Sequence, residues 1–181
     1  MKFKKVPEYI SKVFYRLFFS LEKQAIVAGV HLGENNFIAS RFWSSEPYLI
    51  TIGNNCQITA GVKMFTHGGC QVLRDKYPDF DVFGKIKIGN YVYIGSNTLI
   101  NAGVTIEDNV LIASGSVVTK SLKARGVYGG NPAKYICSID EFEKRNMTKN
   151  VSSKYLSKEE KKKLLLSLPD NKFISKDYIN L

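Results

Sequence analysis

Histidine is nearly missing from this chain of 181 residues, in which only His31 and His67 occur. A catalytic zinc site takes about three protein ligands from His, Cys or carboxylate side chains. Two histidines with no cysteine or glutamate cluster beside them therefore argue against a catalytic metal. Cysteine is scarce too. Cys56, Cys70 and Cys137 have neither metal-knuckle nor disulfide-framework spacing, which fits a reducing cytoplasm. No apolar run is long enough to cross a bilayer. The run over 13–21 is short, is interrupted by Arg16 and has no small-residue cleavage site, so neither secretion nor membrane insertion is expected. Gly-x-Ser-x-Gly, Walker and Rossmann glycine patterns are all lacking. Cys70 has no activating neighbour, so no covalent nucleophile stands out. The net charge of +10 is spread over the N-terminus, the end of the repeat and the tail, with acids among the basic residues. Without an arginine stripe or an aromatic stacking platform it does not read as nucleic-acid binding. A phosphate-bearing small molecule suits it better.

What the sequence does have is a repeat. Ile88, Ile94, Ile100, Ile106, Ile112 and Val118 recur every six residues, and Val92, Thr98, Val104, Val110 and Ser116 follow them four residues on. Both sets fall on even positions, so each hexad reads as a short strand with one inward face. Gly89, Gly95, Asn101, Gly103, Asn109 and Gly115 stand between, where a tight turn needs a residue that tolerates positive φ. The pattern predicts a parallel β-helix whose stacked coils bury a narrow apolar column. Weaker hexads begin at Ile26, Leu32 and Ile38, slip over 41–48, and resume at Ile52, Ile58 and Met64.

The frame then breaks for a long excursion over 65–87 that holds His67, Arg74, Asp75, Asp79 and Asp81. A loop of this length inside a repeat array is usually functional. We divide the chain into an N-terminal helical segment (1–25), a β-helix (26–137) and a helical tail (138–181). Residues 7–24 predict an amphipathic helix that caps the open end of the coils, with contact to a membrane surface as the alternative. In the tail, Ser138 with Glu141 and Ser157 with Glu160 have capping-box spacing, Pro169 stops the second helix, and the lysines at 161–163 read as a solvated face.

The histidine count also nominates a base. His67 lies where the chain leaves the coil, and imidazole is the side chain suited to proton abstraction near neutral pH. His31, beside the ragged first coil, reads as structural.

The hexads, the excursion carrying Thr66-His67-Gly68, the closing Gly115-Ser116-Val117-Val118-Thr119-Lys120 and the segment Gly130-Asn131-Pro132-Ala133-Lys134 resemble the hexapeptide-repeat acetyltransferases. The branch they look most like is that of the galactoside, maltose and xenobiotic O-acetyltransferases, over residues 26–137. The resemblance implies a mainly β fold, a left-handed parallel β-helix, assembled as a homotrimer with acetyl-CoA in a groove between subunits. It implies that His67 deprotonates an acceptor hydroxyl, which attacks the thioester directly while a backbone N–H stabilises the oxyanion. Ser96 and Ser114 match positions that meet the pantetheine arm. Thr119 and Lys120 match a pair at the cofactor, and Lys134 a basic residue near its phosphates. Two positions depart from the family: Tyr93 replaces a Trp, and Cys137 replaces a second Arg at the nucleotide end, for which Lys123 or Arg125 offers a substitute. The acceptor pocket is expected from the frame slip and the excursion: Arg41, Trp43 as a sugar-stacking or a core-filling ring, Glu46, and Asp75 as an orienter of His67. The expected reaction is O-acetylation of a sugar or glycan precursor, in polysaccharide biosynthesis. Nucleotide-amino-sugar N-acetylation, xenobiotic acetylation and a non-catalytic scaffold stand as alternatives.

Overall fold

The computed structural model describes residues 18–178, so most of the helix expected over 7–24, and with it the membrane-contact alternative, lies outside the described residues. Each hexad forms a strand of two or three residues, too short to persist alone. It is held by its copies one coil above and below. On the first face His31–Leu32, Ile50–Ile52, Ile86–Ile88 and Thr105–Ile106 stack in parallel. On the second face Phe37–Ile38, Gln57–Ile58, Tyr93–Ile94, Leu111–Ile112 and Gly126–Gly129 do so, and on the third Lys63–Met64, Leu99–Ile100 and Val117–Val118.

The register puts like on like: Ile52 pairs with Ile88, Ile88 with Ile106, Ile58 with Ile94, and Ile94 with Ile112. Ile58, Ile94, Ile100 and Ile112 are wholly buried, and each such side chain contributes roughly 1.5–3 kcal/mol. The companion positions face inward as the parity requires. Where they are polar they are satisfied locally, because the hydroxyl of buried Thr98 donates to the Gly95 carbonyl at 2.7 Å and that of Ser116 to Ala113 at 2.6 Å. Between the first and second faces, Asn35, Asn55, Tyr91, Asn109 and Arg125 all adopt left-handed φ near 55°. Beside them runs a ladder in which Asn54 Oδ1 accepts from the Glu34 N–H, Asn90 Oδ1 from Asn54, and Asp108 Oδ1 from Asn90.

At the N-terminal end, helix α1 spans Leu21–Ala28, N-capped by Ser20 and stopped by left-handed Gly29. Glu22 Oε1 accepts the Ile38 N–H at 2.8 Å, so the helix occupies an edge that the coil below would otherwise leave open. One expectation is corrected here. Ile26 belongs to α1 and is 53% exposed, so the first inward hexad position is Leu32. The slip in the first coil is filled by Trp43, while its neighbour Phe42 bridges to Lys63. At the other end Leu122 bridges to Ile106, and Gly126–Gly129 pairs antiparallel with Lys134–Ser138 to close the stack with a hairpin, which the hexad pattern did not foretell.

The chain falls into two compact units, Met1–Ile139 and Asp140–Leu181. Beyond the coils lie α2 (Ile139–Asn146) and α3 (Lys158–Ser167), the latter with the full capping box of Ser157 and Glu160. No described residue from 140 onward is buried. Among the described residues no helix is long and apolar enough to cross a membrane.

Candidate active site

The excursion leaves the stack at the corner that follows the third face. Phe65 is still tied to the next coil, its N–H donating to the Ile100 carbonyl at 2.9 Å. Thr66 is fully buried, and His67 after it turns its side chain outward. The base of the excursion is closed by an antiparallel bridge from His67 to Phe83 and by the Gly84 N–H donating to Thr66 O at 2.7 Å. The His67 and Phe83 rings lie 5.5 Å apart, tilted by 51°.

A second strand of chain reaches His67 from the coil above. Glu46 Oε2 lies 2.7 Å from His67 Nδ1 and also 2.7 Å from Thr66 Oγ1. Thr66 Oγ1 is 2.8 Å from Ser44 Oγ, and the Thr66 N–H donates to Ser44 Oγ at 3.2 Å. The Thr66 hydroxyl has one proton, and the carboxylate is the stronger acceptor for it; Ser44 then donates its own proton back to Thr66 Oγ1. The Thr66 hydrogen bond, foremost, holds the Glu46 carboxyl below its ordinary pKa against partial desolvation, and His67 and Ser45 add to the effect. An ionised Glu46 can only accept, so Nδ1 of His67 carries a proton, and in the neutral ring Nε2 is the atom with the lone pair. His67 lines an open depression of about 420 Å³ with Phe65, Gly68, Asn101 and Ala102. An imidazole held in this way can accept a proton at Nε2 at the edge of the open depression.

The residues expected from sequence are distributed as follows. Thr119 and Lys120 are exposed one coil beyond Asn101 and Ala102, on the same corner as the depression. Ser96 and Ser114 stack on the other edge of the third face; Ser96 Oγ donates to Thr59 Oγ1 at 3.2 Å, and Ser114 is exposed. Lys134 is exposed at the start of the closing hairpin strand. Arg41 is exposed in the slipped coil.

Of the two readings of Trp43 the core-filling one holds: it is 7% exposed and part of the hydrophobic core, so its ring fills the slip and presents no stacking face. One expectation changes. Asp75 is exposed in the excursion and takes no part in holding His67; that position belongs to Glu46, expected instead among the acceptor contacts. Arg74 and Asp81 approach at 3.9 Å across the excursion. Sequence reasoning passed over Thr66 and Ser44, although Thr66 keeps the inward parity of Val62 and Met64. A polar residue at an inward position was the available signal. Among the described residues no group of three or more His, Cys, Asp or Glu side chains could hold a metal ion.

Comparison with known proteins bears on this geometry. The bacterial transferase hexapeptide (six repeats) family matches residues 85–120. Protein CapG from Staphylococcus aureus is 48% identical over 137 residues, 75% of this chain and 77% of that protein. Galactoside O-acetyltransferase from Escherichia coli K12 is 34% identical over 118 residues, 65% of this chain and 58% of that enzyme's length. A solved hexapeptide-repeat-containing acetyltransferase from Vibrio cholerae superposes with a TM-score of 0.53 at 21% identity, over 66% of this chain and 90% of that one. With the three parallel faces described above, these likenesses make the fold a left-handed parallel β-helix.

Proposed function

Since the chain belongs to the hexapeptide-repeat acetyltransferases, we propose that it transfers the acetyl group of acetyl-CoA to a hydroxyl of a sugar or glycan precursor, with His67 as the general base. The observation that carries this reading is the Glu46–His67 contact at 2.7 Å at the head of the cleft. Acetyl-CoA supplies an activated thioester carbonyl to the reaction. His67 Nε2 removes the proton of the acceptor hydroxyl as its oxygen forms the new bond to the acetyl carbon. Glu46, ionised and fixed by Thr66, stabilises the imidazolium so formed. The same imidazolium returns its proton to the leaving sulfur, which restores the neutral ring. Ser96, Ser114, Thr119 and Lys120 offer hydroxyls and an ammonium along two neighbouring corners, and Lys134 a further cation. This set suits an extended polar arm ending in phosphates.

Among the described residues, those lining the depression offer no free carboxylate to hold an ammonium, which supports a hydroxyl acceptor over an amine. A sugar acceptor agrees with the name of the galactoside relative, and we assign the reaction to surface-polysaccharide synthesis in the cytoplasm, where acetyl-CoA is made. The working form we propose is a homotrimer, because His67 and the two serines lie on different corners of one prism.

Turnover of acetyl-CoA, followed by thiol release with a panel of sugar acceptors, tests the proposal. His67→Ala is expected to lower kcat by ~10²–10⁴-fold while acetyl-CoA binding is retained. No acetyl-CoA binding by the wild type would overturn the reading.

A further inference from the structure

The cleft beside His67 contains two features that the catalytic base does not require. Phe65, just past the strand, is 40% exposed on the outward parity that alternates with buried Met64. Its backbone is fixed by the hydrogen bond to Ile100, so the ring is held at the cleft wall by the coil and not by the excursion. Asn101 lies one coil on at the same corner, its backbone likewise fixed through its N–H donation to the Val118 carbonyl at 3.0 Å. Its side-chain amide takes part in none of the hydrogen bonds that build the corner, unlike Asn54 and Asn90, whose amides run the ladder at another corner. The remaining lining is Gly68 and Ala102, which add no charge and little bulk.

An exposed aromatic face, a free amide and a base, all on rigid backbone, match one kind of ligand. It has an apolar face of C–H bonds, a hydroxyl to give up a proton and a neighbouring hydroxyl to bind an amide. An uncharged pyranose ring has all three on one scaffold. We infer that Phe65 and Asn101 are the acceptor-reading residues of this site: Phe65 takes the C–H face of a neutral pyranose, and Asn101 binds the hydroxyl adjacent to the one that His67 deprotonates. The inference rests on the acetyltransferase reading above and deepens it. Because Phe65, Asn101 and Thr119 follow one another down a single corner, the acceptor occupies the His67 end and leaves the Thr119 end to the donor.

The test is steady-state kinetics with acetyl-CoA and five probes: methyl galactopyranoside, methyl glucopyranoside, glucosamine, sorbitol and chloramphenicol. A neutral pyranoside is expected to have the highest kcat/KM. Phe65→Ala is expected to raise KM for that pyranoside about tenfold, the effect of losing roughly 1.4 kcal/mol of ring contact, with kcat and the Kd for acetyl-CoA close to wild type. Phe65→Tyr, which keeps the face, restores KM, whereas Phe65→Leu does not. Asn101→Ala is expected to flatten the preference among pyranosides that differ at one hydroxyl. A change in acetyl-CoA Kd with pyranoside KM untouched would overturn the inference, as would preference for glucosamine, sorbitol or chloramphenicol. Acetyl-CoA binding with no pyranoside turnover would also overturn it while leaving the acetyltransferase reading standing. Absence of acetyl-CoA binding would remove that reading itself.

Discussion

At the scale of single residues, the site depends on a proton count. Glu46 Oε2 faces both the Thr66 hydroxyl and His67 Nδ1, and an ionised carboxylate, with no proton of its own, accepts from both. Glu46→Gln keeps the shape but can present an NH₂ to Nδ1, which would favour the wrong tautomer of His67. We expect kcat to fall by roughly 10–10³-fold with little change in acetyl-CoA Kd; kinetics beside calorimetric binding check it, and an unchanged kcat would remove Glu46 from the mechanism. The pKa direction gives a separate test. Glu46 is held below its ordinary value of 4.5, mainly by the Thr66 hydroxyl. Its contribution to stability is thus complete above that value and is lost as pH falls through the lowered one. Thr66→Val removes the hydroxyl. Melting temperatures measured from pH 7 down to pH 3 should show the variant less stable at neutral pH, with the gap closing only below about pH 4.5.

At the scale of elements, the stacking register decides what a position tolerates. Gly95 sits where the turn after the second face lies against the next coil, and a Cβ there would stand 2.4 Å from the Ser114 nitrogen. Its own N–H donates to Ile112 O at 2.8 Å. Gly95→Ala must therefore spread two coils, at a cost of about 1–3 kcal/mol, readable as a lower denaturation midpoint. Tyr91 is the opposite case. It holds φ of 54° at a corner where Asn55 and Asn109 occupy the equivalent turns, and its ring is 62% exposed. Tyr91→Asn should stabilise the chain by about 1 kcal/mol, seen as a Tm rise of roughly 2–4 °C. Elements are also where legibility divides. The coils from Ile88 to Val118 could be read directly, because a strict period reports inward parity without reference to the rest of the chain. Ile26 was read as a hexad position because it is apolar and happens to fall one hexad before Leu32, while Gly29, which stops α1, carries no period. That His67 leaves the coil was legible from its place at the break. Glu46 was visible only as a polar residue in a slip. Its contact with His67 depends on the first coil lying over the second, across twenty-one positions of sequence that no local pattern reports.

At the scale of the whole molecule, the prism keeps the proposed parts of one site apart. His67, Asn101, Thr119 and Lys120 share the corner after the third face, whereas Ser96 and Ser114 lie on the corner before it. A donor that touches both sets along a groove therefore needs the second corner from a neighbouring copy. In the proposed homotrimer, rotation by the three-fold axis would bring the serine corner of one subunit beside the histidine corner of the next. Two inactive variants can test this. His67→Ala lacks the base, and Ser114→Trp blocks the groove wall while leaving His67 and Glu46 intact. If sites are shared, random mixed trimers from an equal mixture should regain about a quarter of wild-type activity, since each site draws its base from one subunit and its wall from the adjacent one. Sites contained within one subunit would regain none. The assay is thiol release after co-expression, set against each variant expressed alone, with sedimentation to confirm the trimer; activity at the level of the separate variants would place the whole site on one chain.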